Sequence, residues 1–379
     1  MKKYFTSESV SAGHPDKLAD QISDAILDEY LIRDPYVKAG IETMIKDNIV
    51  ILGGEISTSY KESLNIEKIV KHVIKTAGYT KEKYLDPESI KIINLLGKQS
   101  LEINKAVVKE DGELGAGDQG IMFGYACNEA PNYMSLDIYI AKSLLDEILT
   151  IDGLGPDAKS QVTIFKDNRD IKYIDNILLS TVHDSNINLY ELRLLINDYI
   201  DTFFNKYNLQ NYLMPHTKII VNPAGEWHIG GSVSDCGLTG RKIVVDAYGG
   251  NCPVGGGAFS GKDSSKVDRS AAYLCRYIAK NIVAANILDE CKIQLSYMIG
   301  VPEPSSINIS GKINSTDINF NENQINLIKE IFPMTPKQII DKFDLRKPIF
   351  YNTARYGHFG IDSYPWEQLD KVEELKNLF

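Results

Sequence analysis

Hydrophobic positions in the first part of the chain follow the order helix, strand hairpin, helix. Residues 18–31 place apolar side chains on one face of a helix, and residues 41–45 and 49–52 are strand-like runs separated by a Lys-Asp-Asn turn. Residues 66–77 repeat apolar side chains at i, i+3, i+4 and i+7, which predicts an amphipathic helix. Gly78 follows directly, and glycine most often takes the left-handed conformation that ends a helix.

The same order of elements recurs twice further along the chain. The second occurrence has its helix, two strands and helix at 138–151, 161–165, 177–179 and 192–203. The third has the same elements at 274–283, 292–298, 307–309 and 325–332. We therefore predict an α+β fold of three structurally similar domains, each a sheet covered by helices, at residues 1–101, 113–230 and 231–379. The uncovered sheet faces need a partner, so an oligomer is expected.

Charge and cysteine content narrow the class of protein. The chain of 379 residues carries 51 acidic and 41 basic side chains, and its net charge of −10 disfavours binding to nucleic acids or anionic membranes. The five cysteines contain no C-x-x-C pair, so neither a disulfide framework nor a zinc site is predicted and a reducing compartment fits best. No apolar run is long enough to cross a bilayer, and the N-terminus lacks the apolar segment of a signal peptide. We expect a cytoplasmic protein that binds neither nucleic acid nor membrane.

Candidate chemistry begins where the first helix is predicted to start, at Gly13-His14-Pro15-Asp16-Lys17. Proline suits the first helical position, and the free N–H groups and dipole of a helix N-terminus attract anions. His14 and Lys17 could contact phosphate oxygens there, and Asp16 could hold a hard cation. An ordinary capped helix with an acid in its first turn would use the same residues, so both interpretations stay open.

Glycine-rich segments supply the second group of candidates. Residues 115–120 place three glycines and Asp118 close together, as either a ligand-binding loop or a tight turn would. Between residues 237 and 269, two glycine-rich loops end in lysines, which predicts phosphate binding. The run from Gly256 to Lys262 fits the start of a P-loop, but Asp263 stands where Ser or Thr would hold Mg²⁺. A true P-loop is therefore disfavoured, and a phosphotransferase or NTPase using this loop remains the alternative function.

Together these segments resemble the S-adenosylmethionine synthetase family, also called methionine adenosyltransferases. The matching motifs are F-T-S-E-S-V at 5–10, G-H-P-D-K at 13–17, G-A-G-D-Q-G at 115–120, D-A-K at 157–159, G-L-T-G-R-K at 237–242 and G-G-G-A-F-S-G-K-D at 255–263. The similarity runs from about residue 3 to residue 370. It implies a three-domain fold with internal pseudo-threefold symmetry, and a homodimer or homotetramer with active sites at the subunit interface.

The implied reaction joins ATP and L-methionine, with two Mg²⁺ ions and one K⁺ ion at each site. Methionine sulfur attacks C5′ of ATP, the whole triphosphate leaves, and the bound tripolyphosphate is hydrolysed to pyrophosphate and phosphate. A thioether sulfur needs no general base, so catalysis has to come from positioning and from stabilising charge on the leaving chain.

Correspondence with the family motifs implies roles for individual residues. The expected catalytic residues are His14, Lys17, Arg241, Lys242, Lys262 and Lys266. Those expected to bind ATP are His14, Asp157, Lys159, Trp227, Asp235, Arg241, Lys242, Ala258 and Lys262, and those expected to bind methionine are Glu55, Gln99, Asp235 and Lys266. The expected metal ligands are Asp16 and Asp268 for Mg²⁺ and Glu42 for K⁺, with Glu8 and Asp118 as further active-site candidates. Residues 97–108 would form a mobile loop over the site.

Three segments depart from the family pattern. Glu226 and Trp227 stand where the family commonly has arginine and phenylalanine, so the ring can still stack on adenine but the neighbouring charge is reversed. Residues 231–235 also match the family's common G-G-P-x-G-D only in part. In the expected loop, Leu101 replaces a usual proline and Lys105-Ala106 replaces Gln-Gly. We expect adenine contacts and loop motion to differ from those of typical members.

Overall fold

Three β-sheets with helices packed against them form the protein, which a computed structural model describes for residues 2–81, 84–98, 114–168 and 170–379. The described strands are β1 (Lys2–Val10), β2 (Lys38–Lys46), β3 (Ile49–Ser57), β4 (Lys91–Asn94), β5 (Gly97–Lys98), β6 (Gly120–Cys127), β7 (Leu154–Asp167), β8 (Asp170–His183), β9 (Leu213–Val221), β10 (Gly237–Leu238), β11 (Glu290–Tyr297), β12 (Ser306–Ile313) and β13 (Thr316–Asn319). The described α-helices are α1 (Pro15–Leu31), α2 (Ile66–Thr76), α3 (Leu136–Ile148), α4 (Leu189–Lys206), α5 (Gly231–Ser234), α6 (Ile243–Asp246), α7 (Val267–Ala284), α8 (Glu322–Ile331), α9 (Pro336–Phe343), α10 (Phe350–Tyr356) and α11 (Val372–Leu378).

The three predicted repeats are present, as α1–β2–β3–α2, α3–β7–β8–α4 and α7–β11–β12–α8. Each central strand pair is an antiparallel hairpin. The β2–β3 and β7–β8 turns place Asp47 and Asn168 at positive φ (51° and 56°), and Asn314 does the same (49°) in the turn between β12 and β13. Asn and Asp adopt this conformation more readily than other non-glycine residues. Gly78, also at positive φ, ends α2 as its sequence position predicted. The predicted α+β fold of three similar sheet-and-helix units is confirmed.

Each unit contributes the strand before its first helix to the sheet of another unit. β1 precedes α1 but pairs with β7, β6 precedes α3 but pairs with β11, and β10 precedes α7 but pairs with β2. The sheet orders are therefore β10-β2-β3-β4 with β5 beside β3, β1-β7-β8-β9, and β13-β12-β11-β6. This cyclic exchange joins the three units through main-chain hydrogen bonds. The domain boundaries at residues 101, 113 and 230 remain predictions.

Two hydrophobic clusters fill the space between sheets and helices. One lies between α3, α4 and the sheet of β7 and β8, and includes Leu144, Ile164 and Ile196. The other is formed by α1, α2, α7 and the two remaining sheets, and includes Leu18 and Leu274. Because other elements surround α7 on nearly every side, its basic side chains Arg269, Arg276 and Lys280 are buried and need internal partners. Within the described ranges, no helix combines the length and apolarity needed to span a membrane.

Candidate active site

The N-terminus of α1 carries a buried, neutral histidine. The Nδ1 atom of His14 caps the helix by accepting a hydrogen bond from the main-chain N–H of Asp16 at 3.1 Å. Because Nδ1 is an acceptor, the neutral ring carries its proton on Nε2. Burial, helped by the charges of Lys242 and Lys159, lowers the pKa of His14 to about 3. The residue is therefore a structural cap and, at the same time, a neutral N–H donor at physiological pH.

Asp16 holds the cations of the 237–242 segment against α1. Its Oδ2 lies 2.6 Å from the Lys242 Nζ, its Oδ1 lies 3.6 Å from the Arg241 Nε, and Oδ1 accepts the Leu238 N–H at 3.0 Å. Gly237 permits this approach, because a Cβ there would lie 2.0 Å from the Pro15 carbonyl oxygen. The structure thus brings together His14, Asp16, Arg241 and Lys242, which we call the first cluster.

Lys17 lies beneath this cluster as a buried counter-charge. Its Nζ is 2.6 Å from Asp246 Oδ1 and 3.1 Å from Asp20 Oδ2. Burial alone would lower the pKa of Lys17, but the two carboxylates raise it above the ordinary value. Asp20 in turn accepts the Gly240 N–H at 2.8 Å. The ammonium therefore stabilises the acids that hold the 240–242 loop, whereas the motif alone suggested a cation presented to phosphate.

Four further ATP-binding candidates lie on β7 (Asp157 and Lys159) or in the segment around α5 (Trp227 and Asp235). Asp157 is buried and accepts the Gly231 N–H at 2.7 Å, and burial raises its pKa to about 6. Asp235 and Lys159 are exposed, and both contribute to the electrostatic field at His14. Trp227 is half-buried and donates its indole N–H to the Ile229 carbonyl at 2.8 Å.

Glu226, which stands where the family commonly has arginine, lies next to this tryptophan in the chain. It is exposed, and its carboxylate lies 3.2 Å from Nε2 of His228. Hydrogen bonds to the His183 carbonyl and to this carboxylate raise the pKa of His228. The carboxylate is therefore engaged by a neighbouring side chain of its own loop.

A second cluster forms where the 255–263 loop meets α7. The Lys262 Nζ lies 2.6 Å from Asp268 Oδ2, and the Lys266 Nζ lies 2.6 Å from Asp263 Oδ2. Asp263 also accepts the main-chain N–H of Ala39 at 2.8 Å. Burial alone would raise the pKa of Asp263, but the charges of Lys266 and the nearby Lys38 lower it to about 2. Asp263, which the P-loop comparison singled out, thus holds the lysine at the start of α7.

Glycines close around the carboxylate of Asp268. A Cβ on Gly257 would lie 2.1 Å from that carboxylate, and one on Gly120 would lie 3.1 Å from its Oδ1. The 115–120 hexapeptide therefore packs beside the second cluster, with Asp118 exposed at its tip. Ala258 of the 255–263 loop lies against the 237–242 segment, which belongs to the first cluster, because a Cβ on Gly240 would lie 2.5 Å from the Ala258 Cβ.

The remaining candidates lie on strands or outside the described residues. Glu42 on β2 is exposed, and its pKa is raised by partial desolvation despite the charge of Lys262. Glu55 on β3 is half-buried opposite β5, and Glu8 on β1 is exposed. Gln99 and most of the expected loop at 97–108 fall outside the described residues.

Sequence reasoning missed a fully buried ion pair that supports the second cluster. Arg269 binds Asp24 of α1 through two hydrogen bonds of 2.9 and 2.5 Å and donates to the Lys262 carbonyl at 2.8 Å. Asp24 also accepts the Gly261 N–H at 2.8 Å. No signal in the sequence marks this pair, because Asp24 and Arg269 lie outside the apolar stripes of their two helices. The site as a whole combines a neutral N–H donor with clustered lysines and carboxylates, which suits a small polyphosphate accompanied by hard metal ions.

Comparison with known proteins gives one consistent family. Residues 2–101, 113–227 and 229–368 match the family models described as the N-terminal, central and C-terminal domains of S-adenosylmethionine synthetase. The chain is 45% identical to S-adenosylmethionine synthase of Helicobacter pylori, with 99% of this chain and 98% of that protein covered. It is 44% identical to the synthase of Helicobacter hepaticus, over 100% of this chain and 99% of that protein. A solved structure described as an unusual S-adenosylmethionine synthetase from Campylobacter jejuni superposes with a TM-score of 0.88 at 38% identity, covering 99% of both chains.

Proposed function

Because the chain belongs to the S-adenosylmethionine synthetase family, we propose that it joins ATP and L-methionine by attack of the methionine sulfur on C5′ of ATP. The family makes the protein a transferase that forms S-adenosylmethionine. The triphosphate leaves as a unit and is hydrolysed to pyrophosphate and phosphate before the products depart. The observation that carries this mechanism is a neutral Nε2–H donor on His14 beside two clusters of lysines and carboxylates.

His14 donates its Nε2–H to the oxygen that separates from C5′. A neutral donor suits this role because its strength does not depend on pH above the low pKa of the ring. Developing negative charge on the leaving oxygen strengthens the hydrogen bond, so the contact stabilises the transition state more than bound ATP. The sulfur itself needs no proton removed, so no base is assigned.

The cations of both clusters surround the triphosphate. Arg241, Lys242 and Lys262 now contact Asp16 or Asp268 at 2.6–3.6 Å, and phosphate oxygens would share these donors when ATP binds. Preorganised charges of this kind need little rearrangement as the bond breaks. Asp157, Lys159, Trp227, Asp235 and Ala258 are assigned to the nucleotide, and Glu55, Gln99, Asp235 and Lys266 to methionine.

The acidic residues fit Mg²⁺ by their donor chemistry. Asp16 and Asp268 offer hard carboxylate oxygens, and Gly257 lets the main chain of the 255–263 loop approach the Asp268 carboxylate, because a Cβ there would lie 2.1 Å from it. Among the described residues, no three His, Cys, Asp or Glu side chains form a complete metal site, which agrees with the preference of Mg²⁺ for one or two carboxylates plus phosphates and water. Two bound Mg²⁺ ions would neutralise charge on the triphosphate, and Glu42 would hold the K⁺ ion.

The working form is a homodimer or homotetramer with active sites at the subunit interface. Exposed apolar side chains on the sheets and adjoining loops support an interface, among them Ile93, Leu95, Ile121 and Met298. The five cysteines are free, which supports a reducing compartment, and we assign the protein to the cytoplasm.

Product analysis tests the function. The protein is incubated with ATP, L-methionine, Mg²⁺ and K⁺, and nucleotides and phosphates are separated and quantified. S-adenosylmethionine with equimolar pyrophosphate and phosphate is the expected result. ADP as the main nucleotide product would favour the phosphotransferase or NTPase alternative, and no turnover would indicate a binding protein that retains the fold.

A further inference from the structure

A line of buried polar side chains runs beneath the two clusters and ends at main-chain groups of both. At one end, Arg269 donates from Nη1 to the Lys262 carbonyl at 2.8 Å and from Nε to the Tyr273 hydroxyl at 3.1 Å. The Tyr273 hydroxyl lies 2.8 Å from Nδ1 of His358, a residue that follows α10. Arg269, Tyr273 and His358 are each fully buried. None of these three residues is needed for the reaction proposed above.

The donors available fix the direction of the first hydrogen bond in this line, and the surroundings of His358 favour one direction for the second. Arginine can only donate, so the Tyr273 oxygen accepts from Arg269. We assign the proton between Tyr273 and His358 to the tyrosine, because the other ring nitrogen, Nε2, faces the Asp246 carboxylate, which accepts. Burial raises the pKa of Tyr273 to about 12, which keeps the phenol protonated. Burial, with the charges of Arg269, Lys17 and Lys142, lowers the pKa of His358 well below its ordinary value, so the ring is neutral. The imidazole therefore carries its proton on Nε2.

That Nε2–H faces Asp246, the residue that connects this line of side chains to the first cluster. Nε2 lies 4.0 Å from Asp246 Oδ2 and has no hydrogen-bond partner among the described residues. A single water molecule can bridge two polar atoms at this separation. The main chain reinforces the contact, because the His358 N–H donates to the Asp246 carbonyl at 3.3 Å and the Asp246 N–H donates to the Lys242 carbonyl at 2.8 Å. The other carboxylate oxygen of Asp246 holds Lys17.

We propose that Tyr273 and His358 are positioning residues that hold the Lys242 loop and the Lys262 loop at a fixed spacing around the triphosphate. The inference rests on the proposed function, because it needs a substrate that both loops grip together. A rigid spacing matters since catalysis by preorganised charge loses roughly 10²-fold when groups shift by about 1 Å. Supporting hydrogen bonds around reactive groups are typically worth 10- to 100-fold when removed.

Tyr273→Phe is the central variant, and Tyr277→Phe is its matched control. Phenylalanine keeps the ring that stacks on Trp366 at 3.7 Å between centroids and removes only the hydroxyl. Tyr277 lies one turn further along α7, and its hydroxyl donates to Asp370, away from both clusters. Tyr273→Phe removes the contacts of the hydroxyl with both Arg269 and His358, whereas Tyr277→Phe removes one contact with Asp370. A purely structural role therefore predicts a larger loss of stability in urea for Tyr273→Phe but an unchanged kcat of the folded protein in both variants. The proposal instead predicts that kcat falls by about 10- to 100-fold in Tyr273→Phe only, with KM for ATP changed by less than about threefold.

The tautomer of His358 provides a test that does not depend on activity. In ¹⁵N spectra of protein labelled at histidine, the His358 ring is expected to carry its proton on Nε2, and Tyr273→Phe is expected to remove the hydrogen-bond shift at Nδ1. A proton on Nδ1 in the unmodified chain would overturn the proposal even if the variants fail to fold. Equal kcat values in Tyr273→Phe and Tyr277→Phe would also overturn it. If the unmodified chain forms no S-adenosylmethionine, the proposed function fails instead, and the two failures are told apart by that first assay.

Discussion

Replacing His14 by asparagine removes the proposed donor to the leaving oxygen while leaving the helix cap in place. The His14 side chain does two things, because Nδ1 accepts the Asp16 N–H at 3.1 Å and Nε2 carries the proton. Asparagine is among the best N-cap residues, so its side-chain oxygen can take over the first contact. Its amide is too short to place an N–H where the imidazole Nε2 lies. The variant therefore isolates the donor from the cap.

The expected loss follows from the state of the ring. The pKa of His14 is lowered to about 3 by burial and neighbouring cations, so the donor is neutral and constant across the working pH range. Removing one such donor to developing charge typically lowers kcat by about 10² to 10³, or roughly 2.7–4 kcal/mol. Since no titration is involved, the loss should be the same from pH 6 to pH 9. ATP binding without methionine should change by less than about threefold, because the ground-state contact is weak.

Rapid-quench single-turnover kinetics measure the transfer step directly, and equilibrium dialysis measures ATP binding. His14→Ala serves as the control for the cap, since it loses both functions and should additionally destabilise the protein by about 1 kcal/mol. A His14→Asn variant that transfers the adenosyl group at the normal rate would refute the assigned role. A variant that loses ATP binding in proportion to its rate would refute the claim that the contact acts in the transition state.

Three further predictions concern stability and spacing. Asp24→Asn leaves a buried guanidinium without its charged partner, so the free energy of urea unfolding should fall by about 3–5 kcal/mol, and a loss under about 1 kcal/mol would contradict this. Gly257→Ala would place a Cβ 2.1 Å from the Asp268 carboxylate and should lower turnover at least about tenfold. In Gly256→Ala the added Cβ meets nothing within 4 Å, and an equal loss there would show that the Asp268 contact is irrelevant. Finally, the pKa of His14 in the folded chain lies below its ordinary value of 6.5. As pH falls from 6.5 toward 3, the unfolded chain takes up a proton at this histidine before the folded chain does, so the free energy of unfolding decreases. Below pH 6.5 the unmodified chain should therefore lose up to about 1.4 kcal/mol per pH unit relative to His14→Asn, and parallel unfolding curves at pH 7 and pH 5 would contradict the shift.

The fold could be predicted where local pattern decides structure. The three helix–hairpin–helix repeats follow from side-chain periodicity and turn residues, both of which lie within a short window of sequence. The exchange of β1, β6 and β10 between units could not be predicted this way. Strand pairing such as Thr6 with Thr163 depends on contacts more than a hundred residues apart, and nothing in the nine residues of β1 identifies the sheet that receives them.

The candidate site shows the same limit. Motifs located His14, Asp16 and the lysines because glycine, proline and charge cluster visibly in sequence. The residues beneath them were missed, since Asp24, Arg269 and His358 are separated by long stretches of chain and resemble ordinary surface polar residues when taken singly. Lys17 was expected to face phosphate because of its motif, whereas burial under the loop gives it two carboxylate partners. Burial, which decides these roles, is a property of the packed fold.

The site of bond cleavage in ATP tests the central claim most directly. ATP labelled with ¹⁸O at the oxygen between C5′ and the α-phosphorus is turned over with methionine, and the products are examined by mass spectrometry. Attack of sulfur on C5′ predicts that all of the label leaves with the inorganic phosphate products and that S-adenosylmethionine carries none. Label retained in an adenosine-containing product would mean that a P–O bond was cut, and would contradict the mechanism.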